Sequence, residues 1–112
     1  PTEDSTAVQE SGADPDILCQ GLLTVKRNGK SNRRYVVLFA DLLCYYEEEA
    51  STSIAGRDPR GSVALVDVEE FWEVALGFVL RLRGAKYPLE LLAETERDHG
   101  RWLEAWAVAL EP

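Results

Sequence analysis

Residues 19–39 read CQGLLTVKRNGKSNRRYVVLF, and the fold follows from how this stretch is parsed. LCQGLLTVK, from Leu18 to Lys26, has the apolar and β-branched content of a strand. RNGKSN, from Arg27 to Asn32, is polar and contains Asn-Gly, a strong signal for a turn. RRYVVLF, from Arg33 to Phe39, is β-branched and aromatic again, so the two runs are expected to pair as a hairpin. Working outward, Ala40-Asp41 turns the chain into a third strand, LLCYYE, and Glu48 to Arg60 reads as a long exposed loop. Four short strands are expected beyond it, at 62–66, 69–74, 77–83 and 87–93, the last two joined by a turn at Gly84-Ala85-Lys86. GFVLRLR sets Phe78, Leu80 and Leu82 against Val79, Arg81 and Arg83, the alternation of a half-buried antiparallel strand.

After Thr95 the period changes. Trp102, Leu103, Trp106 and Leu110 are spaced for one face of a helix. Thr95 with Asp98 three residues on is a capping pattern with Asp in place of Glu or Gln. Seven strands followed by one amphipathic helix define an α+β fold. The expected form is a seven-stranded antiparallel sheet, curled into a partly open barrel of two near-orthogonal sheets, with the helix over one end.

The 112 residues suit one domain, and the chain divides into two parts. Residues 1–16 are expected to be a disordered acidic tail or linker, because they are poor in apolar groups. Residues 17–112 form the expected domain. The chain opens on Pro1 rather than methionine, which points to a piece of a longer polypeptide, and its start does not resemble a signal peptide. Cys19 and Cys44 sit in apolar runs without metal-ligand spacing and read as reduced thiols of a cytoplasmic protein, a disulfide being the other reading.

Net charge is −8, but its distribution matters more than its sum. Glu3, Asp4, Glu10, Asp14 and Asp16 occupy the first sixteen residues with no base among them. Lys26, Arg27, Lys30, Arg33 and Arg34 fall within nine residues that contain no acid. Glu47–Glu49, and Asp67 with Glu69, Glu70 and Glu73, reverse the sign again.

Cys19–Phe39 resembles the opening of pleckstrin homology domains, where a Gly-x-Leu strand leads through a basic loop into an Arg-aromatic-x-Val-Leu strand. LCYY at 43–46 and GSVAL at 61–65 look like that family's third and fourth strands, and Trp102-Leu103 matches its helix tryptophan. The resemblance covers about residues 18–110. It implies a non-catalytic module that recruits its parent protein to phosphoinositide-containing membrane, as a cytoplasmic, peripherally associated monomer. The parent would be a regulator of small GTPases, a kinase or an adaptor.

The family's usual headgroup pocket takes a Lys near the end of strand one and a Lys/Arg-x-Arg pair opening strand two. Val25, Asn32 and Arg34 hold those positions here, so Arg34 alone is kept. Strand parity turns 25, 32 and 34 inward and Lys26 and Arg33 outward, with Arg27 and Lys30 expected at the tip. The expected mode is therefore weak binding on the outer side of the hairpin, through Lys26, Arg27, Lys30, Arg33, Arg34 and Lys86. Glu73 and Val74–Leu76 would form the opposite wall, while Glu47–Glu49 would repel anions at the inner mouth. The alternative is a protein-interaction or intramolecular docking domain with little lipid binding.

Enzymatic chemistry has little to work with. His99 is the only histidine and is expected as a solvated or capping residue, leaving no nucleophile–base pair. No metal-ligand spacing or phosphate-cradling glycine loop is present, so no cofactor is expected. Tyr35, Tyr45 and Tyr46 are read as core or groove residues, and the acidic balance argues against nucleic acid.

Overall fold

Period-two alternation and a capped amphipathic segment produce seven strands and one helix in the computed structural model, which describes residues 17–48 and 58–111. The strands are β1 (Ile17–Arg27), β2 (Lys30–Phe39), β3 (Leu42–Tyr46), β4 (Gly61–Ala64), β5 (Val68–Val74), β6 (Gly77–Leu82) and β7 (Leu89–Leu92). The helix α1 spans Glu96–Ala109. The acidic segment 1–16, Glu49 and most of the expected loop lie outside the described residues.

All pairings are antiparallel, in the order β4-β3-β2-β1-β7-β6-β5, so hydrogen bonding runs through one sheet and β4 and β5 remain its edges. The sheet curls. Val63 from one edge strand and Phe71 from the other belong to the same apolar cluster, which also holds Leu23, Leu38, Phe78 and Leu91. Val37, Cys44 and Tyr46, of opposite parity, form a second cluster on the outer side of β2 and β3. Cys19 and Cys44 are unpaired thiols in these two separate clusters.

The first hairpin is tighter than its polar tip led one to expect. Only Asn28 and Gly29 form the turn, with φ of 53° and 77°. Two successive positive φ values are the backbone of the turn whose twist matches paired strands. Arg27 and Lys30 are thereby drawn into the strands as opposite partners. Two other boundaries move as well. The expected strand at 62–66 ends at Ala64, and Leu65–Asp67 make a single 3-10 turn. β7 begins at Leu89, because Pro88 has no backbone N–H to give a ladder.

Thr95 caps α1, its Oγ1 accepting from the Asp98 backbone N–H at 3.1 Å. Trp102 is 0% exposed, and Trp106 and Ala105 are buried beside it. Leu103 departs from expectation at 38% exposed. Each residue turns the helix by about 100°, so the stripe centred on Trp102 continues through 105, 106 and 109 and leaves 103 on its flank. His99 also differs: its side chain is only 15% exposed, with its ring 5.0 Å from that of Phe78 and Nε2 3.1 Å from Glu73.

Candidate functional site

The end of the barrel nearest the first turn opens into a cleft of about 300 Å³. Its residues follow from the register. Leu23 lies opposite Arg34, Val25 opposite Asn32 and Arg27 opposite Lys30, and side chains at these alternate positions share one face. Val25, Arg27, Asn28, Lys30, Asn32 and Arg34 line the cleft from the hairpin. Tyr45 of β3 and Leu89 of β7 complete it. Gly61 makes room for the tyrosine, since a Cβ there would collide with the Tyr45 ring.

Arg27 and Lys30, expected at the tip, thus stand with Arg34 in the inner mouth. The short turn is the reason. A two-residue connection carries the strand alternation up to its last pair, whereas a six-residue loop would have released both side chains.

The outer side of the same hairpin is different. Arg33 Nη2 is 2.7 Å from Glu94 Oε2, and Arg33 Nε is 3.6 Å from Glu48 Oε2. Lys26 is the register partner of Glu90 and shares with it an outer cleft. That cleft is completed by Arg27 and the turn Asn28-Gly29 together with Val79, Tyr87 and Pro88, not by Glu73 and Val74–Leu76, which line a separate depression with Glu96 and His99. Lys86 sits in a neighbouring cleft with Trp72, Arg81, Ala85 and Pro88.

Acids expected to repel ligand at the mouth are engaged elsewhere, Glu47 with Arg60 at 3.0 Å and Glu48 with Arg33. Arg81, Arg83 and Arg101 have carboxylates within 4.0 Å as well. Among the described residues, no carboxylate is that close to Arg27, Lys30 or Arg34. Three cations without a close carboxylate among the described residues, around a cleft with an apolar floor, suit a compact, multiply charged anion.

Both thiols are poor nucleophiles. Burial pushes Cys19 up, against the pull of Arg101, whose Nη1 lies 3.1 Å from its Sγ. Burial pushes Cys44 up too. No described helix is long and apolar enough to cross a membrane.

This architecture is that of a known class of module: the chain has the pleckstrin homology fold. No family sequence model matches it, and no curated protein matches it by sequence. Among solved structures it is similar to the Slm1 PH domain in complex with D-myo-inositol-4-phosphate, with a TM-score of 0.70 and 16% identity over 87% of this chain and 98% of that one. The human ARAP2 N-terminal PH domain gives a TM-score of 0.60 and 17% identity, covering 90% of this chain and 84% of that one. A structure of the Vav1 exchange factor gives 0.67 and 19%, covering 84% of this chain and 25% of that one. The chain therefore spans about a quarter of that Vav1 structure. At such identities the likeness establishes the fold alone.

Proposed function

We propose that the domain is a non-catalytic membrane-recruitment module, binding a phosphoinositide headgroup weakly at the inner mouth. The observation carrying this reading is the convergence of Arg27, Lys30 and Arg34 on one cleft without carboxylate partners among the described residues. The Slm1 complex supports the ligand class, because an inositol phosphate is bound by a domain of the same fold. Binding is weak because Val25 and Asn32 contribute no charge. The outer side is the less favoured face, since a phosphate there must displace Glu94 and Glu48 from Arg33.

The reading places the domain in the cytoplasm as a peripherally associated monomer, and the likeness to the Vav1 exchange factor supports an exchange factor as its parent. Protein docking is the second reading, supported by Leu103 and Val108 on the open side of α1, 38% and 60% exposed. Liposome co-sedimentation, with and without phosphoinositide at low and physiological salt, separates the two. Headgroup recruitment predicts phosphoinositide-dependent binding that weakens as salt screens the mouth. No binding even at low salt would leave the docking reading.

A further inference from the structure

We propose that the flank beside the mouth, built on Trp72 and Tyr87, is a second contact surface that lies in the interface of an anionic bilayer. This rests on the headgroup reading for its orientation but draws on other residues. Trp72 and Tyr87 are the two aromatics among the exposed large apolar side chains of the described residues, at 44% and 38%. Their position follows from the register. Trp72 lies opposite Val79, Val79 opposite Glu90 and Glu90 opposite Lys26, one row across the outer side of the sheet. Three strand spacings separate its ends, about 14 Å. Tyr87 and Pro88 share one cleft with Lys26 and Arg27, and Pro88 shares the next with Trp72 and Lys86. The aromatic patch is thus continuous with the hairpin through Arg27, which also lines the mouth.

Its chemistry matches the level where headgroups meet acyl chains. Trp and Tyr rings have an apolar body and a polar edge, and lysine stems run beside them with the charge kept in water. Lys86 Nζ is 5.5 Å from the centroid of the Tyr87 ring. The acids on this face have cationic neighbours, Glu70 bonding Arg81 at 2.7 Å and Glu90 standing opposite Lys26. Lys86 and Arg27 remain to meet anionic lipid. The tip, Asn28-Gly29, has no apolar side chain, and among the described residues the exposed aromatics beside the mouth are those of the flank. The domain would then meet the bilayer tilted onto the β5–β7 side, with the headgroup in the mouth and both rings in the interface.

Two measurements on the full chain test this. The first compares the unmutated protein with Trp72→Ala and Tyr87→Ala, each checked for an unchanged melting temperature. Titrations use soluble inositol phosphate and, separately, phosphatidylserine vesicles containing phosphoinositide. Each variant is expected to lose about tenfold in vesicle affinity, as for removing a partly buried aromatic, with soluble-ligand affinity unchanged. Unchanged vesicle binding, or equal losses in both titrations, would overturn the proposal. The second uses brominated lipid as a quencher. Trp102 and Trp106 are buried, so only Trp72 emission should be quenched, and Trp72→Phe should abolish the effect. Vesicle binding without quenching overturns the proposal, as does a variant that dissociates a dimer and leaves vesicle binding intact. Absent soluble-ligand binding with Trp72 quenching preserved would sink the headgroup reading and leave this one standing.

Discussion

The two faces of the β1–β2 hairpin carry similar numbers of cations and end in different electrostatic states. On the inner face, Arg27, Lys30 and Arg34 surround a cleft floored by Val25 and Leu89. On the outer face, Arg33 holds two carboxylates, while Lys26 is the register partner of Glu90 without a carboxylate within 4.0 Å among the described residues. Those outer pairs contribute little to stability. An exposed ion pair is worth about 0–1 kcal/mol, because both ions were already well solvated. Their effect on ligand choice is larger, since an arriving phosphate on the outer side must compete with anions already held in place. A count of basic residues therefore says less about a binding face than the partners each one has acquired.

The largest expected effect falls on the frame that holds both faces. Trp102→Ala should cost about 3–5 kcal/mol, the usual loss for a buried tryptophan, and so erase both faces together. A thermal melt like that of the parent would mean that α1 does not close the barrel as described. Next comes the inner wall. Gly61→Ala should displace the Tyr45 ring and cost about 1–3 kcal/mol, the range for overpacking. Inositol phosphate affinity should fall with it, while vesicle binding through the flank should change less. An unchanged melting curve and affinity would show that Tyr45 does not shape the mouth. The smallest effect belongs to the outer face. Glu94→Gln removes the nearer partner of Arg33 and should raise affinity for anionic vesicles about two- to threefold at low salt, as loss of one nearby acid allows. A gain of tenfold or more would shift the balance toward the outer mode.

Much of the fold was legible in the residues. Phe78, Leu80 and Leu82 were readable as inward-facing from alternation alone, and Thr95 from its offset to Asp98. The site was less legible for a specific reason. Inner and outer parity could be assigned at Val25, Asn32 and Arg34, but Arg27 and Lys30 depended on whether the turn took two residues or six. Asn28-Gly29 was the signal that could have settled it, because that pair favours the two-residue turn. Partnerships such as Arg33 with Glu94 join residues sixty-one positions apart and follow only from the pairing of β1 with β2 and β7. Leu103 was misplaced because a four-residue apolar spacing tolerates a neighbour that the helix turns aside.

The proposed binding face is the inner one, whose cations have no carboxylate within 4.0 Å among the described residues. Paired charge reversals, measured side by side on phosphoinositide vesicles, distinguish the two faces. Each variant is first checked for a native melting temperature. Lys30→Glu with Arg34→Glu, at two residues that line only the mouth, should reduce affinity by at least a hundredfold, because two attractive charges near the lipid become repulsive, at about 1 kcal/mol for each unit of charge. Lys26→Glu with Arg33→Glu makes the same change in net charge, yet should reduce affinity by a smaller factor, since Arg33 is already held by Glu94 and Glu48. Equal losses from the two pairs, or a larger loss from the outer one, would mean that the inner face is not the main lipid contact.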